Sequence, residues 1–280
     1  MRDRKWDKKR HRDAASGPRR ASEPSRPPHK PFRSKSRSHG HGSDGMALLY
    51  GWHTVKAALE NPNRRIRKLY ATENAARRLS EEGIAARLEL QMVRPEDIAA
   101  RLPPDAVHQG LLAEADPLPA IAIEDLAPEG IVLVFDQITD PHNVGAILRS
   151  AAAFAVKAIV TTSRNSPEAT GVLAKSASGA LDHVPVIEVV NLARALTTMK
   201  DNGFLLVGLD SEGTVDLAAA PLHSPLALVL GAEGKGLRHL TRTHCDVLAR
   251  LDMPGTIKSL NVSNAAAVAL YVATARTRSG

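Results

Sequence analysis

Four uninterrupted apolar runs constrain this chain more than any other feature. They are Ile131 to Phe135, Ala158 to Thr161, Phe204 to Val207 and Leu226 to Leu230. None alternates with polar residues, so each reads as a strand covered on both faces, the pattern of a parallel sheet between layers of helix. Helical spacing fills the gaps near 143–154, 168–179 and 191–202, and a last helix is expected near 261–276. Strand and helix in alternation predict a doubly wound α/β body over residues 131–280.

A smaller module precedes it. Order is expected from Met46, where Leu48, Leu49 and Tyr50 lead through Gly51 into a helical segment with Val55, Ala58 and Leu59 on one face. Asn61-Pro62-Asn63 ends that segment. Arg67 to Ala71 reads as a strand, 74–86 as a helix, Leu88 to Val93 as a strand and Pro95 to Leu102 as a short helix before Pro103-Pro104. Residues 46–115 are therefore expected to form a small α/β module, and the Pro-containing stretch 116–130 a linker.

Charge divides the chain in the same way. The net charge is +7, yet residues 1–45 hold 14 Lys or Arg against 5 Asp or Glu, which leaves the rest slightly acidic. This tail has almost no aliphatic residues to bury, so it is expected to be disordered. It reads either as a solubilising segment or as an arm that binds phosphates without reading bases. Asp3, Asp7 and Asp13 are unusual for a mitochondrial presequence. Cys245 is the only cysteine, which excludes an intrachain disulfide and a cysteine-based zinc site and suits a reducing cytoplasm. No apolar run reaches the ~18–20 residues that span a bilayer, and no metal site is expected.

Open parallel sheets bind ligands at the carboxyl ends of their strands. Three segments lie there. Asp136 to Ser150 turns at Asp140-Pro141 and enters a helix, with Asn143 near its start and Arg149 two turns in. Asn143 reads as a helix cap or a site residue. Arg149 reads either as a solvated helix charge or, since it sits among Ile147, Leu148 and Ala151 to Phe154, as a buried or interfacial guanidinium that needs an anion or several acceptors. The second segment, Leu228 to Arg238, has glycines at 231, 234 and 236 but fits neither phosphate-binding fingerprint. Glu233 there is a candidate hydrogen-bond acceptor. In the third, Leu251 to Ala265, the side chains of Ser259, Asn261 and Ser263 read either as caps of the last helix or as site groups.

In order and content the three segments resemble the signature motifs of the SpoU/TrmH family of RNA 2'-O-ribose methyltransferases, in the SPOUT superfamily. Tyr50 to Val55 and Val107 to Gly110 resemble the start and end of that family's substrate-binding domain, in the branch that methylates a guanosine of bacterial large-subunit ribosomal RNA. The resemblance implies a parallel sheet whose C-terminal segment threads a deep trefoil knot, a topology that pattern reading alone would reject. It implies S-adenosylmethionine as cofactor, held at Gly231, Leu251 and Leu260, with Leu209 a further candidate. Arg149 is then the catalytic arginine, with Asn143, Glu233, Ser259 and Asn261 around the reacting groups. One departure stands out: the family often has Ile-Pro-Met where this chain has Leu251-Asp252-Met253, with Pro254 two residues later.

Ribosomal RNA is the partner the resemblance implies, with transfer RNA, or a catalytically silent RNA-binding relative, as alternatives. A homodimer that assembles the site at its interface would account for an arginine on an apolar helix. The Arg64, Arg65, Arg67 and Lys68 cluster is a further expected RNA contact.

Overall fold

The structure, a computed structural model, describes residues 46–84, 89–104, 106–164, 179–256 and 258–278. The tail, and all but the last residue of the helix expected near 168–179, lie outside them.

The first sheet has four strands in the order β1-β4-β2-β3, with β1 Ala47–Tyr50, β2 Ile66–Ala71, β3 Leu90–Met92 and β4 Leu111–Ala115. β4 is antiparallel to both β1 and β2, while β2 and β3 are parallel. Helices α1 (Trp52–Glu60) and α2 (Glu73–Glu81) bury Val55, Ala58 and Leu79 against Leu69, Leu111 and Ala113. Helix α3 (Pro95–Ala99) puts Ile98 against Tyr70 and Leu112 in a second small cluster.

Two strands here were not expected. Ala47–Tyr50 pair as a strand before the helix begins. Leu111–Ala115 forms one of the two inner strands, buried along its whole length.

The second sheet has seven strands, all parallel, in the order β7-β6-β5-β10-β8-β11-β9. They are β5 Ile131–Asp136, β6 Ala158–Thr162, β7 Val186–Val189, β8 Leu205–Leu209, β9 Val215–Asp216, β10 Leu226–Gly231 and β11 Val247–Arg250. The four apolar runs are β5, β6, β8 and β10, and both faces of each are covered. Alternate residues of β5 face opposite ways: Ile131, Leu133 and Phe135 pack toward α4 (Pro141–Ala153) and α7 (Val262–Arg278). Val132 and Val134 pack toward Leu192, Leu196 and Met199 of α5 (Leu192–Asp201). Ile123, in the expected linker, is buried in that second cluster. A one-turn-and-a-half helix, α6 (His239–His244), joins β10 to β11.

Candidate active site

The parallel register fixes which loops meet. Gly231 is paired with Asp136, Leu230 with Leu209, and Ala249 with Leu209. The carboxyl ends of β5, β10, β8 and β11 therefore lie side by side in that order. Leu209, Gly231 and Leu251 stand at the ends of the last three, so one sheet edge brings together three of the four expected cofactor positions. Leu260, the fourth, is exposed on the loop before α7.

Main-chain packing closes this edge tightly. Ala232 and Gly236 pair as an isolated antiparallel bridge, with the Gly236 N–H donating to the Ala232 carbonyl at 2.8 Å. A Cβ on Gly231 would lie 2.2 Å from the Gly236 carbonyl carbon. Only glycine fits there, because the obstruction is backbone.

Three arginines hold the rim. Arg238 donates through its backbone N–H at 2.9 Å and through Nε to the carboxylate of Asp136, which is 0% exposed. Arg242, on α6, pairs with Asp210 at 3.2 Å and Glu212 at 3.3 Å, just after β8. Arg250 pairs with Asp252 at 2.7 Å and donates to the Gly213 carbonyl at 2.9 Å. The segment from β10 to β11 is thus tied to the ends of β5 and β8. Sequence reasoning passed over Asp136 and Arg238, although a carboxylate closing a fully apolar strand is itself a signal that a donor must meet it.

The expected site residues divide among this rim, helix α4 and the approach to α7. Asp140, not Asn143, caps α4, its carboxylate accepting from the His142 N–H at 3.1 Å. The half-buried Asn143 side chain has no hydrogen bond among the described residues. Arg149 is exposed, as a solvated helix charge would be, and lines a groove of about 390 Å³. Ala146, Ser150 and Ala153 of α4, Phe154 just after it, and Ser263 and Asn264 of α7 line that groove. Arg149 has no ion-pair partner among the described residues.

At the start of α7, Asn261 does act as a cap. Its Oδ1 accepts from the Ser263 N–H at 2.9 Å and from the Ser263 hydroxyl at 2.6 Å. That links Asn261 to the lining of the Arg149 groove. Glu233 and Ser259 are exposed on the loops after β10 and before α7.

The expected basic RNA contact is altered. Arg64 is buried and bonded to Asp182 at 2.7 Å, which takes it out of solvent reach. Asp116 compensates Arg65 and Arg67, and Glu114 lies 3.5 Å from Lys68, although these three remain exposed. Among the described residues no group of three or more His, Cys, Asp or Glu is arranged to hold a metal ion. No helix among them is long and apolar enough to cross a membrane.

Residues 130–271 match the model of the SpoU rRNA methylase family. The chain belongs to that family. Residues 48–120 also match the RNA 2'-O ribose methyltransferase substrate-binding model. Among SpoU relatives, the 23S rRNA (guanosine-2'-O-)-methyltransferase RlmB of Pseudomonas putida is 37% identical over 81% of this chain and 96% of its own length. The SpoU methyltransferase AviRb of Streptomyces viridochromogenes superposes with a TM-score of 0.71 at 27% identity, covering 84% of this chain and 91% of AviRb. Its complex with AdoMet superposes at 0.69 and 25% identity, covering 84% and 92% of the two chains. The chain is accordingly a SpoU methyltransferase with an α/β parallel-sheet body.

Proposed function

We propose that this SpoU methyltransferase transfers a methyl group from S-adenosylmethionine to the ribose 2'-hydroxyl of a guanosine in 23S ribosomal RNA. One observation carries the reading: an exposed Arg149, without an ion-pair partner among the described residues, on the helix leaving β5, in a chain 37% identical to a protein named for that reaction.

The rim suits a cofactor held by main chain. Around Gly231 the backbone packs so closely that no side chain can intrude, and Leu209, Gly231 and Leu251 end three adjacent strands. These three, with Leu260, would hold S-adenosylmethionine, which supplies a methyl group on a positively charged sulfur.

A ribose hydroxyl is a weak nucleophile, so the protein must orient it, favour loss of its proton and exclude water. Arg149 cannot serve as the base, because a guanidinium stays protonated in proteins. It binds the neighbouring RNA phosphate and stabilises the negative charge that develops on the 2'-oxygen. The proton passes to that phosphate or to another acceptor. Asn143, whose amide has no hydrogen bond among the described residues, orients the ribose, and Glu233 accepts a hydrogen bond across the site. Asn261 fixes the start of α7, and Ser259 lines the same approach.

Residues 46–115 present the RNA, 116–130 link the modules, 131–280 carry out the transfer, and the basic tail 1–45 adds phosphate affinity. The C-terminal segment threads the deep trefoil knot of the superfamily, a reading supported by its return from β11 to pack α7 against α4. A second copy covers the Arg149 groove. Its support is an apolar stripe on α7, with Val268 44% and Tyr271 67% exposed in line with Asn264. The enzyme works in the cytoplasm.

The test is to map 2'-O-methylated nucleotides on total RNA from cells with the gene, without it, and with the gene encoding Arg149→Ala. Loss of one guanosine methylation in 23S rRNA, not restored by the variant, is expected. Loss of a transfer-RNA position instead, or no loss at all, overturns the proposal.

A further inference from the structure

The RNA-presenting module is joined to the methyltransferase body by a buried polar lock. Asp182 lies in a single turn of 3-10 helix, Ala180–Asp182, between β6 and β7. Its carboxylate accepts from Arg64 Nε at 2.7 Å and from the Asn61 side-chain amide at 3.2 Å; that amide also donates to the Asp182 carbonyl at 3.0 Å. The Arg64 and Asp182 side chains are only 6% and 1% exposed. Arg64 also donates to the Asp116 carbonyl at 3.0 Å, at the point where the chain leaves β4. A carboxylate taken so far out of water is tolerable only with its partners in place.

A steric observation points to the same joint. Gly179 has φ +86°, and a Cβ there would lie 2.7 Å from the His53 carbonyl oxygen and 2.8 Å from Ala57 Cβ. Helix α1 therefore rests directly on the backbone that carries Asp182. On the other side, Ala180 and Val184 belong to the same buried cluster as Ile147, Leu148 and Ala151 of α4. That is the helix that bears Arg149.

We propose that Asp182, with Arg64 and Asn61, is a positioning site that sets the distance between the RNA-binding module and Arg149. The lock fixes how far the methylated ribose lies from the RNA features that the module grips. This role rests on the proposed RNA methylation, but the lock itself does not depend on it. A displacement near 1 Å in a reacting pair costs up to ~100-fold in rate, so releasing the module lowers turnover of RNA without touching the cofactor rim.

The test uses the full chain carrying Cys245→Ser, with spin labels at Arg77→Cys and Val190→Cys, both exposed positions on either side of the joint. With the labelled chain diluted in an excess of unlabelled Cys245→Ser protein, so that only distances within one protomer are read, the parent gives one narrow distance distribution; Asp182→Ala and Arg64→Ala each broaden it, and the double variant broadens it no further. In the same proteins kcat/KM for RNA falls at least ~10-fold while S-adenosylhomocysteine binding, followed by calorimetry, is unchanged. A narrow distribution retained in Asp182→Ala, or a broad one in the parent, overturns the lock whatever the RNA substrate proves to be. Broadening with unaltered kcat/KM overturns its positioning role. If the parent methylates no ribosomal RNA, the distance data still decide the lock, and only the reading of function fails.

Discussion

The buried carboxylate of Asp136, at the end of β5, receives both the backbone N–H and the guanidinium of Arg238, at the end of the loop that follows β10. Two loops far apart in sequence are thereby held as one rim, with Glu233 on the loop so fixed. Asp136→Ala leaves the Arg238 N–H without its acceptor, at a cost of about 1–3 kcal/mol. Urea unfolding should register that loss, and S-adenosylhomocysteine should bind more weakly than to the parent. Equal affinity would mean the rim keeps its shape without the clamp.

Arg149→Ala tests the chemistry directly. Removing one preorganised donor from a developing oxyanion costs ~10²–10³ in kcat, so single-turnover methylation should fall by that order. Cofactor-product affinity should hold, because Arg149 is assigned to the RNA phosphate and 2'-oxygen and is not among the residues expected to hold the cofactor. Arg149→Lys should recover only part of the rate, since an ammonium lacks the planar fork that grips a phosphate. Full activity in either variant contradicts the assigned role.

Gly231→Ala asks whether the main-chain cradle matters. The added methyl would meet the Gly236 backbone at 2.2 Å, and that backbone cannot yield as a flexible side chain would. Overpacking of this kind costs about 1–3 kcal/mol. The loop should move outward and S-adenosylhomocysteine affinity should drop at least tenfold, as read by calorimetry. Gly234→Ala is a useful contrast: its φ is +76° but its surroundings are open, so it should strain the turn without closing the cradle.

What the sequence made legible followed from local pattern. Continuous apolar runs gave the central strands, and the caps and breaks gave most helix limits. β4 escaped notice because Leu-Leu-Ala-Glu-Ala is short and rich in residues of low strand propensity; only its neighbours on both sides make it a strand. Arg64 looked like an RNA contact because its partner, Asp182, is 118 residues away. Nothing local announces such a pairing. Asn143 lost its capping role to Asp140, an equally good cap three residues earlier. The roles of Arg149, Glu233 and Ser259 came from family resemblance, since exposed polar residues on loops carry no pattern of their own.

Cys245 should be inert in the native protein. Burial, reinforced by the nearby Asp246 carboxylate, pushes its thiol from an ordinary 9.0 up to about 12. Below pH 9 the thiol is protonated in both folded and unfolded chains, so the stability associated with burying it is fully present. As pH rises from 9 toward 12 only the unfolded chain ionises, and native stability declines. Thiol reagents at pH 8 should label Cys245 only when the protein unfolds. The denaturation midpoint should fall more steeply above pH 9 for the parent than for Cys245→Ser. Rapid labelling of the folded protein would contradict the burial argument.

Deleting residues 1–45 separates affinity from selection. The tail carries 14 basic and 5 acidic residues, whereas the remainder of the chain is slightly acidic. Each phosphate neutralised adds ~0.7–0.9 to the slope of log K against log salt, so removing an arm that engages several phosphates should flatten that slope by a few units. RNA affinity at low salt should fall accordingly. The methylated nucleotide should stay the same, because charge along a backbone reads no base and the proposed selection lies with the module held by Asp182. Binding isotherms at several salt concentrations, with methylation mapped on the same RNA, distinguish the cases. An unchanged slope makes the tail a bystander, and a changed nucleotide makes it a reader of sequence.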